Sequence, residues 1–190
     1  MSLAGWILVG AIVLALIYAI AVYNRLVRLR ALVKEGFSGI TVQLRRRADL
    51  IPNLVESVRG YATHEREVLD QVTAHRADAT RAAGVEGTAA ADAQFTGLIG
   101  RLMAVAEAYP DLKADENFRQ LSDELSEIEG ELQSSRRYYN ATVRDLNTQV
   151  QTFPDTLFAR PMGFTEEPFY EDGDASIQTA PKVSFARPAA

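Results

Sequence analysis

FRQLSDELSEIEGELQSSRRYYNATVRDLNTQV, residues 118–150, is the stretch on which the fold turns. Phe118, Leu121, Leu125, Ile128, Leu132, Tyr139, Val143, Leu146 and Val150 recur at helical spacing, with Ser135 interrupting at one core-facing position, so the apolar side chains line one face of a helix. A stripe of more than thirty residues is long enough to pack against every other helix of an antiparallel bundle. Asp115 stands where an N-cap belongs, and Glu116, Asp123, Glu124, Glu127 and Glu131 read as a solvated face.

Upstream, Phe95, Leu98, Ile99, Leu102, Val105, Ala106 and Tyr109 form a shorter stripe that must end before Pro110, because proline restricts its predecessor. PDLKAD is the connector to the long helix, and GVEGTAAAD, residues 84–92, reads as a loop. Helical spacing from Asn53 runs through Leu54, Val55, Val58, Tyr61, Ala62, Val68, Leu69 and Val72 to about Ala83. Before it, Leu26, Leu29, Val33, Phe37, Ile40, Leu44, Ala48 and Ile51 continue the pattern, with Gly36 and Gly39 as weak points. Pro52 disfavours helical geometry at Ile51 and removes a backbone donor, which predicts a kink or restart there with Asp49 as cap. No segment sustains a two-residue alternation of β-branched residues, so the expected class is all-α.

At the N-terminal end LAGWILVGAIVLALIYAIAVY, residues 3–23, carries no charge; as a helix it reaches roughly 30 Å, the hydrocarbon thickness of a bilayer. Leu3 begins the span, Trp6 lies near one end, and Tyr18 and Tyr23 lie near the other, as interfacial aromatics do. Ala19-Ile20-Ala21 imitates a signal-peptidase site, but the run is too long for a signal h-region and lacks a preceding Lys or Arg. A retained anchor is expected. Arg25, Arg28, Arg30 and Lys34 follow it, which orients the bulk of the chain to the cytoplasm and draws the flank to anionic headgroups. The expected organisation is therefore a transmembrane anchor over 1–24 continuing into a bundle over 25–153, then a largely disordered Pro, Gly and acidic tail over 154–190. FARP occurs twice in that tail, from Phe158 and from Phe185.

Composition and motifs exclude most chemistry. The 190 residues contain no cysteine, so thiolate zinc, iron–sulfur and cysteine-nucleophile sites are absent. The net charge of −5 argues against a nucleic-acid surface. A di-iron bundle needs Glu-x-x-His, yet Tyr61 precedes His64 and Val72 precedes His75 by three. Phosphate-loop, dinucleotide, hydrolase-elbow and zincin motifs are likewise missing. No cofactor, metal or catalytic residue is assigned. Arg45, Arg46 and Arg47 form the densest basic run beyond the flank; two of them at most can serve one target, and pairing with the acidic last helix is expected, either within one bundle or between protomers. Arg136 and Arg137 read as a second basic patch on a partner surface.

Three segments carry a resemblance: QLRRRADLIPNLVESVRGYATHE (43–65), AEAYPDLKADENFRQLSDEL (106–125) and SRRYYNATVRDLN (135–147), followed by TFP. With the anchor they cover the chain from Met1 to about Phe169, and they resemble the bacterial LemA family. Phe37 replaces a usual Trp and Gly130 a usual Asn. The resemblance implies a single-pass inner-membrane protein, N-terminus outside, with a cytoplasmic bundle of long antiparallel helices and no established activity or cofactor. It implies packing or interaction roles for Arg46, Arg47, Asp49, Pro52, Asn53, Tyr109, Pro110, Asp111, Arg137, Tyr139 and Asn140. Together these readings predict a noncatalytic scaffold or adaptor whose partners are the lipid bilayer, copies of itself and an unidentified membrane or cytoplasmic protein, without nucleic acid. The rival readings are a ligand- or stress-sensing bundle, or an unfamiliar membrane enzyme.

Overall fold

Among the described residues, helical spacing of the apolar positions produces six helices: α1 Leu3–Arg59, α2 Arg66–Arg81, α3 Gly84–Glu107, α4 Pro110–Ala114, α5 Glu116–Gln151 and α6 Thr156–Ala159. The structure, a computed structural model, describes residues 2–61 and 65–171, and no strand occurs among them. His64 and the second FARP lie outside the described residues, as does the tail beyond Glu171.

α1 has 57 residues, about 85 Å of continuous helix. Its first part stands clear of other elements, with Leu3, Trp6, Ile7, Leu8, Leu14, Leu16 and Ile17 all exposed. From Val22 onward one face is covered by α5, the most extensive helix pair in the molecule. Leu26 and Ile40 are fully buried there, and burial of such a side chain contributes about 1.5–3 kcal/mol. Gly36 is buried where a Cβ would meet the α5 backbone at Tyr139.

Two apolar cores follow in sequence along α1. Near the span, Val22, Leu26, Val33 and Ile40 meet Leu132, Tyr139, Val143, Leu146 and Val150 of α5. Farther out α2 and α3 join them, and Ile51, Leu54, Val58, Leu69, Val72, Phe95, Leu102 and Phe118 close a core of four long helices, to which the short α4 adds Leu112. α1 and α3 run outward, α2 and α5 return.

Pro52 does not restart the helix, and Asp49 is no cap: α1 passes through both. The proline removes the donor that the Ala48 carbonyl would otherwise receive. Arg76 of α2 supplies it instead, its Nε donating to Ala48 O at 2.8 Å while its Nη2 reaches Asp49 at 3.2 Å. The stretch expected as one helix from Asn53 to about Ala83 is divided after Arg59. Periodicity could not reveal that break, because Tyr61 keeps the apolar register into the reversal.

Residues 84–92 are helix, not loop. Gly84, at φ +72°, takes the left-handed turn that an L residue resists, and Glu86 and Ala89 to Ala91 then propagate a helix readily. α3 does end before Pro110, which sits in the first turn of α4. The connector PDLKAD holds this single turn, anchored by the fully buried Leu112. Asp115 caps α5 as expected, accepting from Phe118 N at 2.9 Å.

Candidate functional site

The arginine run resolves into three environments. Arg45 and Arg46 are exposed, and Arg46 reaches only the nearby Gln43 at 3.3 Å. Arg47 points inward and is 0% exposed. Its guanidinium donates to Asp92 of α3, to Glu129 of α5 at 2.7 Å and to Thr96 at 3.0 Å, with the Phe95 ring 5.3 Å away. Within one chain the expected pairing with the last helix holds for Arg47, while one step of helical rotation turns Arg46 to solvent.

Asp92 is the centre of this cluster. Its carboxylate, 2% exposed, accepts from Arg47, from Arg136 and from the Tyr170 hydroxyl, the last at 2.7 Å. Arg136 is thus no patch on a partner surface: it faces the same carboxylate from α5 and stacks 5.5 Å from the Tyr170 ring. Arg137 does stay exposed, donating to Ser134 at 2.9 Å. Two arginines, Asp92 and the half-exposed Glu129 balance formally, which is how buried charge is tolerated.

Tyr170 arrives from a segment expected to be disordered. Residues 154–171 are packed along α5 instead. Asn147 exchanges two hydrogen bonds with the backbone of Glu167, both 2.9 Å. Asn140 does the same with Tyr170, at 3.0 and 2.8 Å. Seven helical residues rise ~10.5 Å and three extended residues reach ~10 Å, so the two asparagines match the segment's step as it runs antiparallel to α5. Tyr139 adds a third tie, its hydroxyl donating to Pro168 O at 2.8 Å.

On the membrane side, α6 and the turn after it close over α1. Tyr18 donates to the buried Asp155 and its ring lies 5.8 Å from that of Phe158. Tyr23 meets Phe164 edge-on at 5.8 Å. Arg30 donates to Gly163 O at 2.7 Å and lies 4.1 Å over Phe164. Of the basic flank, Arg25, Arg28 and Lys34 remain exposed, whereas Arg30 is committed to holding this segment. Pro52, Asn53, Pro110 and Asp111 are exposed at the far end, where the half-buried Tyr109 packs on the outer core.

The LemA family model matches residues 36–185. The chain belongs to the LemA family. It is 30% identical over 132 residues to Protein LemA of Metamycoplasma hominis, covering 68% of this chain and 60% of that protein. It is 24% identical over 186 residues to Magnetosome protein MamQ 2 of Paramagnetospirillum magneticum and to Magnetosome protein MamQ of Magnetospirillum gryphiswaldense, covering 83% of this chain and 68% of each. This LemA-family chain therefore spans only about three-fifths of the LemA relative's length. None of these names denotes an enzyme. The apolar helix and these relatives fit a membrane-anchored helical protein.

The LemA match contains the whole Asp92 cluster and the segment that completes it. Sequence reading missed Asp92, Thr96, Glu129, Asn147, Asp155 and Tyr170. Asp92 was hidden because it occupies a core position of the stripe Val85, Ala89, Asp92, Phe95, Ile99, where a search for apolar residues passes over it. Asn140 and Asn147, one heptad apart on the packed face of α5, were the legible sign of a docked backbone.

Burial, with the nearby Glu167 charge second, pushes the Tyr139 hydroxyl from 10.0 up to about 12. Burial also raises Tyr170, reinforced by its hydrogen bond to Asp92. A raised acid holds its proton more tightly when folded, so its contribution is fully present below pH 10 and is lost as pH climbs through about 12. Ultraviolet titration should show tyrosinate from Tyr139 only near pH 12, a step absent in Tyr139→Phe. Release of that step at ordinary tyrosine pH would show that the hydroxyl is not sealed beneath the segment.

Proposed function

We propose that this LemA-family chain is a noncatalytic, membrane-anchored helical scaffold at the cytoplasmic face of the bacterial inner membrane, self-associating or recruiting partner proteins in membrane organisation. The observation that carries this reading is α1: a bare apolar run and the spine of the bundle are one unbroken helix. A domain so mounted cannot swivel freely about a linker, and confinement to a surface makes weak lateral contacts effective through raised local concentration. The relatives named magnetosome proteins support a role tied to membrane organisation. With Arg47 and Arg136 used internally, the members of the two arginine runs left for a partner are Arg45, Arg46 and Arg137.

Cross-linking in native membranes should give a defined self-adduct or partner adduct. Arg45→Glu with Arg46→Glu should weaken that adduct several-fold while leaving stability within ~0.5 kcal/mol, as exposed positions do. Monomer alone, with no partner adduct at native expression, would remove the scaffold reading.

A further inference from the structure

We propose that the corner between α5 and α6 is a second membrane contact, with Phe153 and Leu157 entering the bilayer at the level where the first helix leaves it. The proposal rests on the reading of α1 as a bilayer-spanning anchor.

The length of the span is the first argument. The run 3–23 reaches the roughly 30 Å of a hydrocarbon layer only when its last turn and a half is counted. That last part is not bare. Tyr18 is bonded to Asp155 and stacked on Phe158, and the buried Val22 belongs to the core that contains Ala159 and Phe164. Residues 3–17 alone, free of the bundle, rise ~22 Å. The part of the run nearest the bundle is the part the corner packs against, which sets the corner at the depth of that last turn and a half.

The chemistry of the corner favours sharing. Phe153 is 75% exposed and Leu157 60% exposed, one helical turn apart in sequence on either side of the half-buried Pro154. From Leu146 to Ala159 the sole ionisable side chain is Asp155, and it is buried against the Tyr18 hydroxyl. The rest of α5 carries charge in every turn or two. Charge resumes at once beyond the corner with the exposed Arg160, and beyond the span with Arg25 and Arg28, cations suited to headgroup phosphates. An uncharged tip led by two exposed apolar side chains beside the polar Gln151 and Thr152, bordered by cations and clamped beside a transmembrane helix, matches a lipid interface rather than water.

Because the chain contains no cysteine, single nitroxide labels report without background. The full chain carrying Phe153→Cys, Leu157→Cys, Ile12→Cys or Tyr61→Cys is reconstituted in vesicles of phosphatidylcholine and phosphatidylglycerol, and collision with oxygen is compared with collision with a soluble nickel chelate. The expected result is an oxygen-to-nickel ratio at 153 and 157 approaching that at Ile12 and several-fold above that at Tyr61. A ratio equal to that at Tyr61 places the corner in water and overturns the proposal. Low collision with both reagents, as under a second copy of the chain, overturns it equally. An aqueous ratio at Ile12 defeats the anchor reading and this inference together, whereas a lipid ratio at Ile12 with an aqueous corner defeats the inference alone.

Discussion

Asp92→Ala is expected to destabilise the folded chain by about 3–5 kcal/mol, the usual cost of stripping a buried charge of its partner. The size of the effect comes from what remains. Arg47 is fully buried and cannot retreat to solvent, Arg136 is mostly covered, and the two would face each other across an emptied site. Tyr170 would lose the acceptor for its hydroxyl as well. In a chain of this size such a loss lowers the melting midpoint by on the order of 10 °C, measurable by circular dichroism in mild detergent. Replacing Arg47, Asp92 and Arg136 together by apolar residues of similar volume should recover much of the loss, since the penalty belongs to the unpaired charge. A midpoint unchanged in Asp92→Ala would mean that Glu129 alone neutralises the arginines.

Gly36→Leu is the second large effect expected, at about 2–3 kcal/mol, in the range of core overpacking. A Cβ at Gly36 would stand 3.0 Å from the Tyr139 Cα and 3.4 Å from the Tyr138 Cδ1. The nearer neighbour is backbone in the middle of α5 and cannot swing aside as a side-chain tip can. Gly36→Ala gives a milder case, in which the clash is set against the ~1 kcal/mol by which alanine favours a helix. Denaturant unfolding of the series should therefore fall steeply from alanine to leucine. Equal midpoints across the series would show that α1 and α5 are farther apart than 3.0 Å packing requires.

The all-α fold, the continuation of the span into the bundle and the dominance of residues 118–150 were legible because each depends on one long-lived periodic signal. What failed was local. Gly84 and Gly87 made the start of α3 look like a loop, although only Gly84 adopts a left-handed backbone. Pro52 predicted a kink or restart; the helix does not restart there, and the carbonyl the proline leaves without a donor is served by Arg76, a residue 24 positions later that no local rule consults. The site was hidden by the same kind of distance. Asp92, Arg47, Arg136 and Tyr170 come from four separate segments, and one contributing group from each gives no spacing to detect. The segment 154–171 has the composition of a flexible tail, yet it is fixed by backbone hydrogen bonds to two asparagines, a form of recognition that composition does not register.

The unbroken α1 also acts as a ruler. From Tyr23, where the apolar run ends, to Arg59 the helix rises ~54 Å without interruption, so that height is set by the helix itself. Tyr61 and Asp115, at the outer end, stand at the full distance from the bilayer surface. Arg137 sits much lower, since neighbouring Ser135 lies against Gly39, ~24 Å along the same rod. If the scaffold proposal holds, partners captured at these two levels would be kept in separate planes parallel to the membrane, and an array of such chains would sort its neighbours by altitude as well as by affinity.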